Sequence, residues 1–310
     1  MLDPQASALL KLMQDKGIPP VHHEAPHDAR ASYRKRRFYA QPEPPEVSLV
    51  HDKRIAGPRG DIPVRLYRGA PGSDARGALV YFHGGGWVIG DIDTHDVVCR
   101  QLALMGGFSV ISVDYGLGPE HRFPGAVDDC IAATRWVRAQ AETLGVDPQR
   151  IAVGGDSAGG NLAAVVAIAL RDAGEHWLRY QLLIYPATDM RFVSDSYQRN
   201  GQGYMLTTES MQYFRSHYLG DNTQYADWRA SPLLASDHRK LPPALIITAG
   251  YDPLRDEGRQ YADALSAAGN RVQYLCFERQ IHGFVSMSRV IDEGATALRL
   301  SADLTARALA

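Results

Sequence analysis

Short apolar runs alternate along this chain with longer segments in which apolar residues recur every three or four positions. Such runs are typical of buried strands, and the longer period is typical of amphipathic helices. The runs predict strands at 78–82, 108–113, 150–153, 180–184, 244–249 and 272–277. The periodic segments predict helices at about 95–106, opened by Thr94, and at about 124–144, 160–171, 254–268 and 292–309. This alternation indicates an α/β fold with a mostly parallel central sheet of about eight strands flanked by helices.

The first part of the chain has a different pattern. Residues 46–51 and 62–67 alternate polar and apolar positions, which predicts an antiparallel opening pair joined by a turn at 57–61. Before them, Ala6 to Gln14 has a helical pattern, and residues 30–39 form a basic amphipathic stretch, RASYRKRRFY. The basic stretch fits either an anion- or membrane-binding surface or the solvated face of a covering helix.

Composition narrows the classes of function. The 310 residues suffice for one large α/β domain with a small accessory element, and a net charge of −2 offers no basic excess for nucleic acid. We expect no transmembrane helix, because no apolar stretch of about 18 residues occurs. The first residues lack the features of a signal peptide, so a cytoplasmic location is expected. Three widely spaced cysteines, Cys99, Cys130 and Cys276, predict buried thiols rather than a disulfide framework.

The segment Gly154-Gly155-Asp156-Ser157-Ala158-Gly159-Gly160 carries the strongest chemical signal. Gly155-x-Ser157-x-Gly159 fits a nucleophile elbow, the tight strand-to-helix turn that exposes a serine hydroxyl to a base. A predicted strand precedes it and an alanine-rich predicted helix follows, as such an elbow requires. The alternative is a glycine-rich turn with an idle serine, and the flanking elements favour the catalytic interpretation.

A second glycine-rich segment, His83-Gly84-Gly85-Gly86-Trp87, follows the strand at 78–82. Its uncovered backbone N–H groups suit an oxyanion hole, to which the N–H of Ala158 would add a further donor. A phosphate-binding loop is the weaker alternative, because the Lys-Ser/Thr ending of that motif is absent. His83 is expected to order the loop rather than to act as an acid or base.

A serine nucleophile needs a base and an acid that orients the base. In folds that carry a nucleophile elbow, the acid (Asp or Glu) follows the serine in the chain, and the base (His) follows the acid. Asp252 lies just after the strand at 244–249, and His282 lies in the loop after the strand at 272–277. Asp252 could instead be a helix N-cap and His282 a surface histidine, and Asp256 and Glu278 are rival acids. Their places at strand ends favour Ser157, Asp252 and His282 as a set.

These motifs give the chain a clear family likeness. It resembles bacterial carboxylesterases of the hormone-sensitive-lipase-like family in HGGGWVIGDIDTHD (83–96), SVDYGLGPEHRFPGAVDD (112–129), GGDSAGGNLA (154–163), LLIYPATD (182–189), LPPALIITAGYDPLRDEG (241–258) and IHGF (281–284). The resemblance implies Ser157 as nucleophile, His282 as base and Asp252 as its orienting acid. It also implies an oxyanion hole formed by Gly85, Gly86 and Ala158, with Gly84 shaping the loop.

The resemblance further implies a helical cap in two parts. The first is residues 1–45, which favours the covering-helix interpretation of the basic stretch, and the second is residues 189–235; the hydrolase core then comprises 46–188 and 236–310. A helix predicted at 206–219, opened by a weak capping pattern at Thr207, lies in the second part. Met211, Phe214 and Arg215 are candidates to face an acyl pocket, although Met211 and Phe214 could equally be cap core.

The chain departs from the family at three glycines. The family stretch D-Y-R-L-A-P-E-H here reads Asp114-Tyr115-Gly116-Leu117-Gly118-Pro119-Glu120-His121, and a further family alanine is Gly125. Each glycine that replaces a compatible alanine costs about 0.4–1 kcal/mol through the entropy of the unfolded chain. The departures leave the catalytic assignment intact, and local packing and the substrate entrance are where a difference from the family is expected.

The predicted function is a serine carboxylesterase that hydrolyses short- to medium-chain acyl esters through an acyl-enzyme, without metal or organic cofactor. An amidase or a deacetylase on the same scaffold remains an alternative, since pocket shape decides between them. A non-catalytic small-ligand receptor is disfavoured, because receptors of this family lose the histidine that is present here as His282. The expected partner is a small ester, with no nucleic acid and no integral membrane association, and a homodimer is left open.

Overall fold

A computed structural model describes residues 1–69 and 77–310. Within them, eight strands form one sheet in the order β1-β2-β4-β3-β5-β6-β7-β8. β2 runs antiparallel to both of its neighbours, and the other pairs are parallel. The strands are β1 (Leu49–Gly57), β2 (Gly60–Arg68), β3 (Ala78–Phe82), β4 (Ser109–Val113), β5 (Ile151–Asp156), β6 (Leu178–Ile184), β7 (Ala244–Tyr251) and β8 (Val272–Ile281).

Helices cover both faces of the sheet. All residues of β3, β4 and β5 are buried, as is expected of central parallel strands that are covered on both sides. The helices are α1 (Pro4–Asp15), α2 (Pro26–Ala40), α3 (Asp96–Gly106), α4 (Gly125–Ala139), α5 (Ala158–Asp172), α6 (Asp195–Asn200), α7 (Thr208–Tyr218), α8 (Arg255–Ala267) and α9 (Asp292–Leu309). One core lies under α4, α5 and α8, and a second lies under α3 and α9. The α/β class, the sheet of eight strands and the antiparallel opening pair are thus confirmed.

Several predicted boundaries were wrong for identifiable reasons. β1 starts three residues later than the predicted strand at 46–51 and continues through charged positions, because among the described strands it lies at the edge of the sheet and pairs with β2 alone. β8 continues to Ile281, four residues beyond the predicted end. α4 ends at Ala139, and α3 starts at Asp96 without a side-chain cap from Thr94. The cap at Thr207 is confirmed, since its hydroxyl oxygen accepts a hydrogen bond from the N–H of Ser210.

The N-terminal helices pack on different parts of the fold. α1 is held beside β8 by a hydrogen bond from the N–H of Asp3 to the carbonyl of Arg279, and beside α9 by one from Nε2 of Gln5 to Oδ2 of Asp292. α2 lies against the segment that follows β3, where Arg30 donates to the carbonyls of Val88 and Gly118. Arg30, Arg34 and Arg36 are paired with Glu120, Asp91 and Glu24, so these basic side chains of α2 already have carboxylate partners.

The insertion between β6 and β7 leaves and returns to the sheet at one place. Asn161 of α5, fully buried, donates from Nδ2 to the carbonyls of Ala187 and Ala230, at 2.9 Å and 2.8 Å. The N–H of Leu233 donates to the carbonyl of Thr188 at 3.1 Å. The outgoing and returning legs of the insertion are therefore tied to each other and to the helix that follows the elbow.

A buried carboxyl of α8 fixes the outgoing leg. Oε1 of Glu257 accepts hydrogen bonds from the N–H groups of Thr188 and Asp189, at 2.6 Å and 3.2 Å. Burial raises the pKa of Glu257 to about 8, and these backbone donors offset only part of that rise. The folded chain therefore binds this proton more tightly than the unfolded chain does.

We expect Glu257→Gln to remove a pH-dependent loss of stability. With a folded pKa near 8 and an ordinary value of 4.5, the contribution of Glu257 to the free energy of unfolding is fully present below pH 4.5 and is lost as the pH rises through 8. Glutamine does not titrate. The free energy of unfolding of the variant, relative to that of the parent, should therefore rise by roughly 2–4 kcal/mol when the pH is raised from about 5 to about 8.5. Urea unfolding at both pH values measures this gain.

The matched control is Glu278→Gln, because that carboxylate is exposed and pairs with Arg255 at 3.3 Å. Its free energy of unfolding should follow that of the parent at both pH values. A difference between Glu257→Gln and the parent that does not change with pH would contradict the expectation.

Candidate active site

Ser157 lies in a strained turn between β5 and α5. Its φ of 56° is unusual for a residue with a Cβ, and its N–H is held by the carbonyl of Ile184 at 2.8 Å. Gly159 allows the carbonyl of Phe82 to pass directly over the turn, since any Cβ there would overlap that oxygen. The strand, the sharp turn and the helix are those of a nucleophile elbow, and the side chain of Ser157 remains partly exposed.

The three residues singled out as a set lie together at the carboxyl ends of β5, β7 and β8. Nε2 of His282 is 2.9 Å from Oγ of Ser157, and Nδ1 is 2.7 Å from Oδ2 of Asp252. Asp252 is fully buried, and its other oxygen accepts a hydrogen bond from the N–H of Leu254 at 2.8 Å. This arrangement can move a proton from Ser157 to His282 while the carboxylate fixes the imidazole tautomer.

The two rival acids point to other partners. Asp256 pairs with Arg199 at 2.5 Å, and Glu278, which is mostly exposed, pairs with Arg255. Asp252 lies in the short turn before α8 and is not the N-cap residue, which is Leu254. One of its carboxylate oxygens accepts from the N–H of Leu254, and the other faces His282.

The acid loop, residues 252–256, is held by α6, a helix that the sequence pattern did not predict. Nδ2 of Asn200 donates to the carbonyls of Gly250 and Asp252, at 3.1 Å and 3.2 Å. Oγ of Ser196 donates to the carbonyl of Pro253 at 2.5 Å. Part of the insertion therefore supports the position of Asp252, and nothing in the short polar sequence of α6 (DSYQRN) signals this contact.

The oxyanion loop, residues 83–87, presents free donors beside Ser157. Gly85 and Gly86 have φ values of 122° and 60°, a backbone form that favours glycine. Among residues 1–69 and 77–310, no group accepts a hydrogen bond from the N–H of Gly85, Gly86 or Ala158. The N–H of Gly84 is different, because it donates to Oδ1 of Asp156 at 3.0 Å. Gly84 thus anchors the loop, whereas Gly85, Gly86 and Ala158 have donors available for an anion.

His83 is a buried, neutral component of this loop. Its Nδ1 donates to the carbonyl of Gly84 at 2.8 Å, and its ring stacks on Tyr115 with centroids 4.4 Å apart. Burial and the neighbouring His95 lower the pKa of His83 to about 4. The ring therefore orders the loop in the uncharged form. Within the described residues, none of its hydrogen bonds or ion pairs reaches Ser157 or His282.

Asp156, the residue before Ser157, anchors the loop through a buried network that sequence reasoning missed. Its carboxylate accepts from Tyr81 Oη at 2.7 Å and lies 3.3 Å from Nε2 of His95. Burial alone would lower the pKa of His95 and raise that of Asp156, but their mutual attraction outweighs burial and shifts both the other way. The sequence does contain a signal for this network. Asp156 lies within GDSAGG and His95 within DIDTHD, and each of these stretches adjoins one of the two glycine-rich motifs.

Helix α7 buries two of the three acyl-pocket candidates, Met211 and Phe214, in the core that also lies under α4, α5 and α8. The ring of Phe214 lies directly on Gly86, where a Cβ would overlap three of its ring carbons. Met211 is buried one turn earlier. The guanidinium of Arg215 instead lies 4.1 Å and 4.2 Å from the ring centroids of Phe192 and Tyr225, and donates to the carbonyl of Met190. Arg215 thus braces the interior of the insertion, and its contact with substrate stays a prediction.

Neither a metal cluster nor a membrane-spanning helix is found in the described part of the chain. No group of three or more His, Cys, Asp and Glu side chains there is arranged to hold a metal ion. No helix within the same residues is both long and apolar enough to cross a bilayer.

Comparisons with known proteins agree with this geometry. A family model described as alpha/beta hydrolase fold matches residues 79–286. The carboxylic ester hydrolase LipN of Mycobacterium tuberculosis is 41% identical over 296 residues, which cover 92% of this chain and 77% of LipN. The ethyl acetate hydrolase of Pseudomonas putida is 39% identical over 306 residues, which cover 96% of each protein. The structure of an ester hydrolase from the metagenome of Lake Arreo, bound to a bipyridine phosphonate derivative, matches with a TM-score of 0.95, 45% identity and 99% of each chain covered.

Proposed function

The chain belongs to the hormone-sensitive-lipase-like family of alpha/beta hydrolases, and we propose that it is a serine carboxylesterase acting on short- to medium-chain acyl esters. The observation that carries the proposal is the continuous hydrogen-bonded path from Ser157 through His282 to Asp252, together with the N–H groups of Gly85, Gly86 and Ala158, for which the described residues offer no acceptor. The similarity to proteins named as ester hydrolases over more than nine-tenths of this chain supports the same reaction class.

In the proposed reaction, Oγ of Ser157 attacks the ester carbonyl while Nε2 of His282 takes its proton. The N–H groups of Gly85, Gly86 and Ala158 stabilise the negative charge that develops on the carbonyl oxygen. His282 then protonates the departing alcohol, leaving an acyl group on Ser157. Water repeats the sequence, with His282 as base, and releases the acid. Asp252 stabilises the imidazolium and keeps Nδ1 protonated throughout.

The contacts of α7 with the oxyanion loop support the proposed substrate class. A carbonyl oxygen bound at Gly85 and Gly86 places the attached chain near the ring of Phe214 and the buried Met211. An apolar wall so close to the reacting carbon limits the length of the acyl chain, and we propose chains of about four to eight carbons.

The test is a series of p-nitrophenyl esters from acetate to decanoate, with the matching p-nitroanilides. We expect kcat/KM to peak between butyrate and octanoate and the anilides to be hydrolysed at least a hundred times more slowly. A p-nitrophenyl phosphonate should inactivate the enzyme with a stoichiometry of one, and peptide mass analysis should locate the phosphonyl group on Ser157. Faster anilide hydrolysis would favour the amidase alternative, and a label on another residue would overturn the site.

We propose in addition that two chains associate through the sheet edge. β8 pairs only with β7 among the described strands, so its other edge offers backbone donors and acceptors to a partner strand, except that the Arg279 carbonyl already accepts from the N–H of Asp3. Light scattering of the purified chain distinguishes monomer from dimer.

The free thiols Cys99, Cys130 and Cys276 support the proposal that the chain works in the reducing cytoplasm. The division into cap segments 1–45 and 189–235 also stays a proposal.

A further inference from the structure

The three glycines that depart from the family pattern have very different surroundings. A Cβ at Gly125 would meet the guanidinium of Arg59, with Cζ at 2.9 Å, and a guanidinium at the end of a flexible side chain can move away. A Cβ at Gly116 would meet the side chain of His121. At Gly118, a Cβ would lie 2.6 Å from the carbonyl oxygen of His217 and 3.2 Å from Cα of Tyr218. Of the three, Gly118 alone is packed against the backbone of the insertion.

Neither side of this contact is free to give way. The N–H of Gly118 donates to the carbonyl of Trp87 at 2.8 Å, and its own carbonyl accepts from Arg30 at 2.7 Å. On the other side, the last turn of α7 is fixed because its Tyr218 carbonyl accepts from the N–H of Phe123 at 2.9 Å. A methyl group inserted between two anchored backbones must break contacts on one side, since protein interiors lack the space to absorb it.

The close approach at Gly118 sets the position of α7 over the oxyanion loop. The ring of Tyr218 stacks on Trp87 with centroids 4.7 Å apart and an angle of 4° between the planes. One turn earlier on the same face, the ring of Phe214 rests on Gly86. The last turn of α7 therefore determines how deeply Phe214 reaches towards the carbonyl that the loop would bind.

We propose that Gly118 is a positioning residue that restricts the acyl pocket by allowing α7 to press Phe214 against the oxyanion loop. The inference rests on the proposed esterase function and adds the residue that sets its chain-length limit. Gly118 touches neither substrate nor the reacting groups and acts through Tyr218 and Phe214.

The experiment compares Gly118→Ala with the parent on the acyl series. Raising the last turn of α7 should withdraw Phe214 and lengthen the pocket, so the ratio of kcat/KM for octanoate to that for acetate should rise at least fivefold. Most of the change should appear as a lower KM for octanoate. Gly125→Ala is the control, because the nearest atoms to its new methyl group belong to the end of the Arg59 side chain, and its ratio should stay within twofold of the parent.

A double variant tests the path of the effect. Phe214→Ala should raise the same ratio, and adding Gly118→Ala to it should raise the ratio by less than twofold more, because the two changes act on one wall. If the effects of the two substitutions on the ratio were fully additive, Gly118 would act independently of Phe214, and the proposal would be overturned.

If Gly118→Ala does not fold, Tyr218→Leu removes the ring stack from the α7 side and should raise the ratio in the same direction. An unchanged ratio in an active, folded variant overturns the role of Gly118 and leaves the esterase standing. If the parent hydrolyses no ester, the proposed function itself has failed.

Discussion

Replacing Ser157 by alanine is expected to lower kcat/KM for p-nitrophenyl butyrate by about 10⁴–10⁶-fold. The alanine removes the only atom of this side chain that lies within reach of Nε2 of His282, at 2.9 Å in the parent. Without it, neither the acyl-enzyme nor the proton transfer to His282 can occur. The oxyanion donors remain, and they account for the residual rate above that in water.

The fold should not change in this variant. Both serine and alanine carry a Cβ, so the strain of the positive φ at residue 157 is the same in parent and variant. The melting temperature should match that of the parent within a few degrees. Ser48→Ala is the control, since its hydroxyl bonds the carbonyl of Arg68 at the far edge of the sheet. Hydrolysis by Ser157→Ala within tenfold of the parent would show that another nucleophile operates.

Asp252→Asn is expected to lower kcat by about 10³–10⁴-fold, the second large effect. The carboxylate can only accept, so it requires a proton on Nδ1 of His282 and leaves Nε2 free to take the proton of Ser157. An asparagine amide can donate to Nδ1 instead, which moves the imidazole proton to Nε2 and removes the base. KM should change little, because Asp252 is buried behind His282 and contacts no space open to substrate.

The rival acids supply the controls for this prediction. Glu278→Gln and Asp256→Asn should keep kcat within a few-fold of the parent, because each carboxylate pairs with an arginine away from His282. The bond from the N–H of Leu254 to Asp252 can persist with an asparagine oxygen, so the melting temperature reports whether the loop is intact. If Asp252→Asn stays within a few-fold while Glu278→Gln abolishes hydrolysis, the assigned acid is wrong.

Features with a strong local signature could be predicted from the sequence. The buried strands β3 to β7 are short apolar runs, and the geometry of a parallel sheet brings their carboxyl ends together. That geometry places Ser157, Asp252 and His282 at one edge although they lie far apart in the chain. The glycines of the oxyanion loop were equally visible, since only backbone donors can serve where side chains are absent.

Features that depend on contacts between distant segments were not predictable in the same way. α6 has six residues, five of them polar, which is too short a segment to show an apolar period, and it packs on the acid loop. β8 runs through the charged residues Glu278 and Arg279 because an edge strand needs no apolar face there. The link from Asp156 to Gly84 joins two motifs that were recognised separately, and its existence follows only from the pairing of β3 with β5.

The joined legs of the insertion bear on how this fold diversifies. Because the N–H of Leu233 donates to the carbonyl of Thr188, the two ends of the insertion are held side by side. The entropic cost of closing a loop grows only with the logarithm of its length, so a longer insertion between these two ends reduces stability little. Asn161 holds the two ends from the core side by donating to the carbonyls of Ala187 and Ala230. The base of the insertion can therefore tolerate changes in the length of the chain between its two ends, whereas α6 and α7 are fixed by their own contacts with the acid loop and with Gly118.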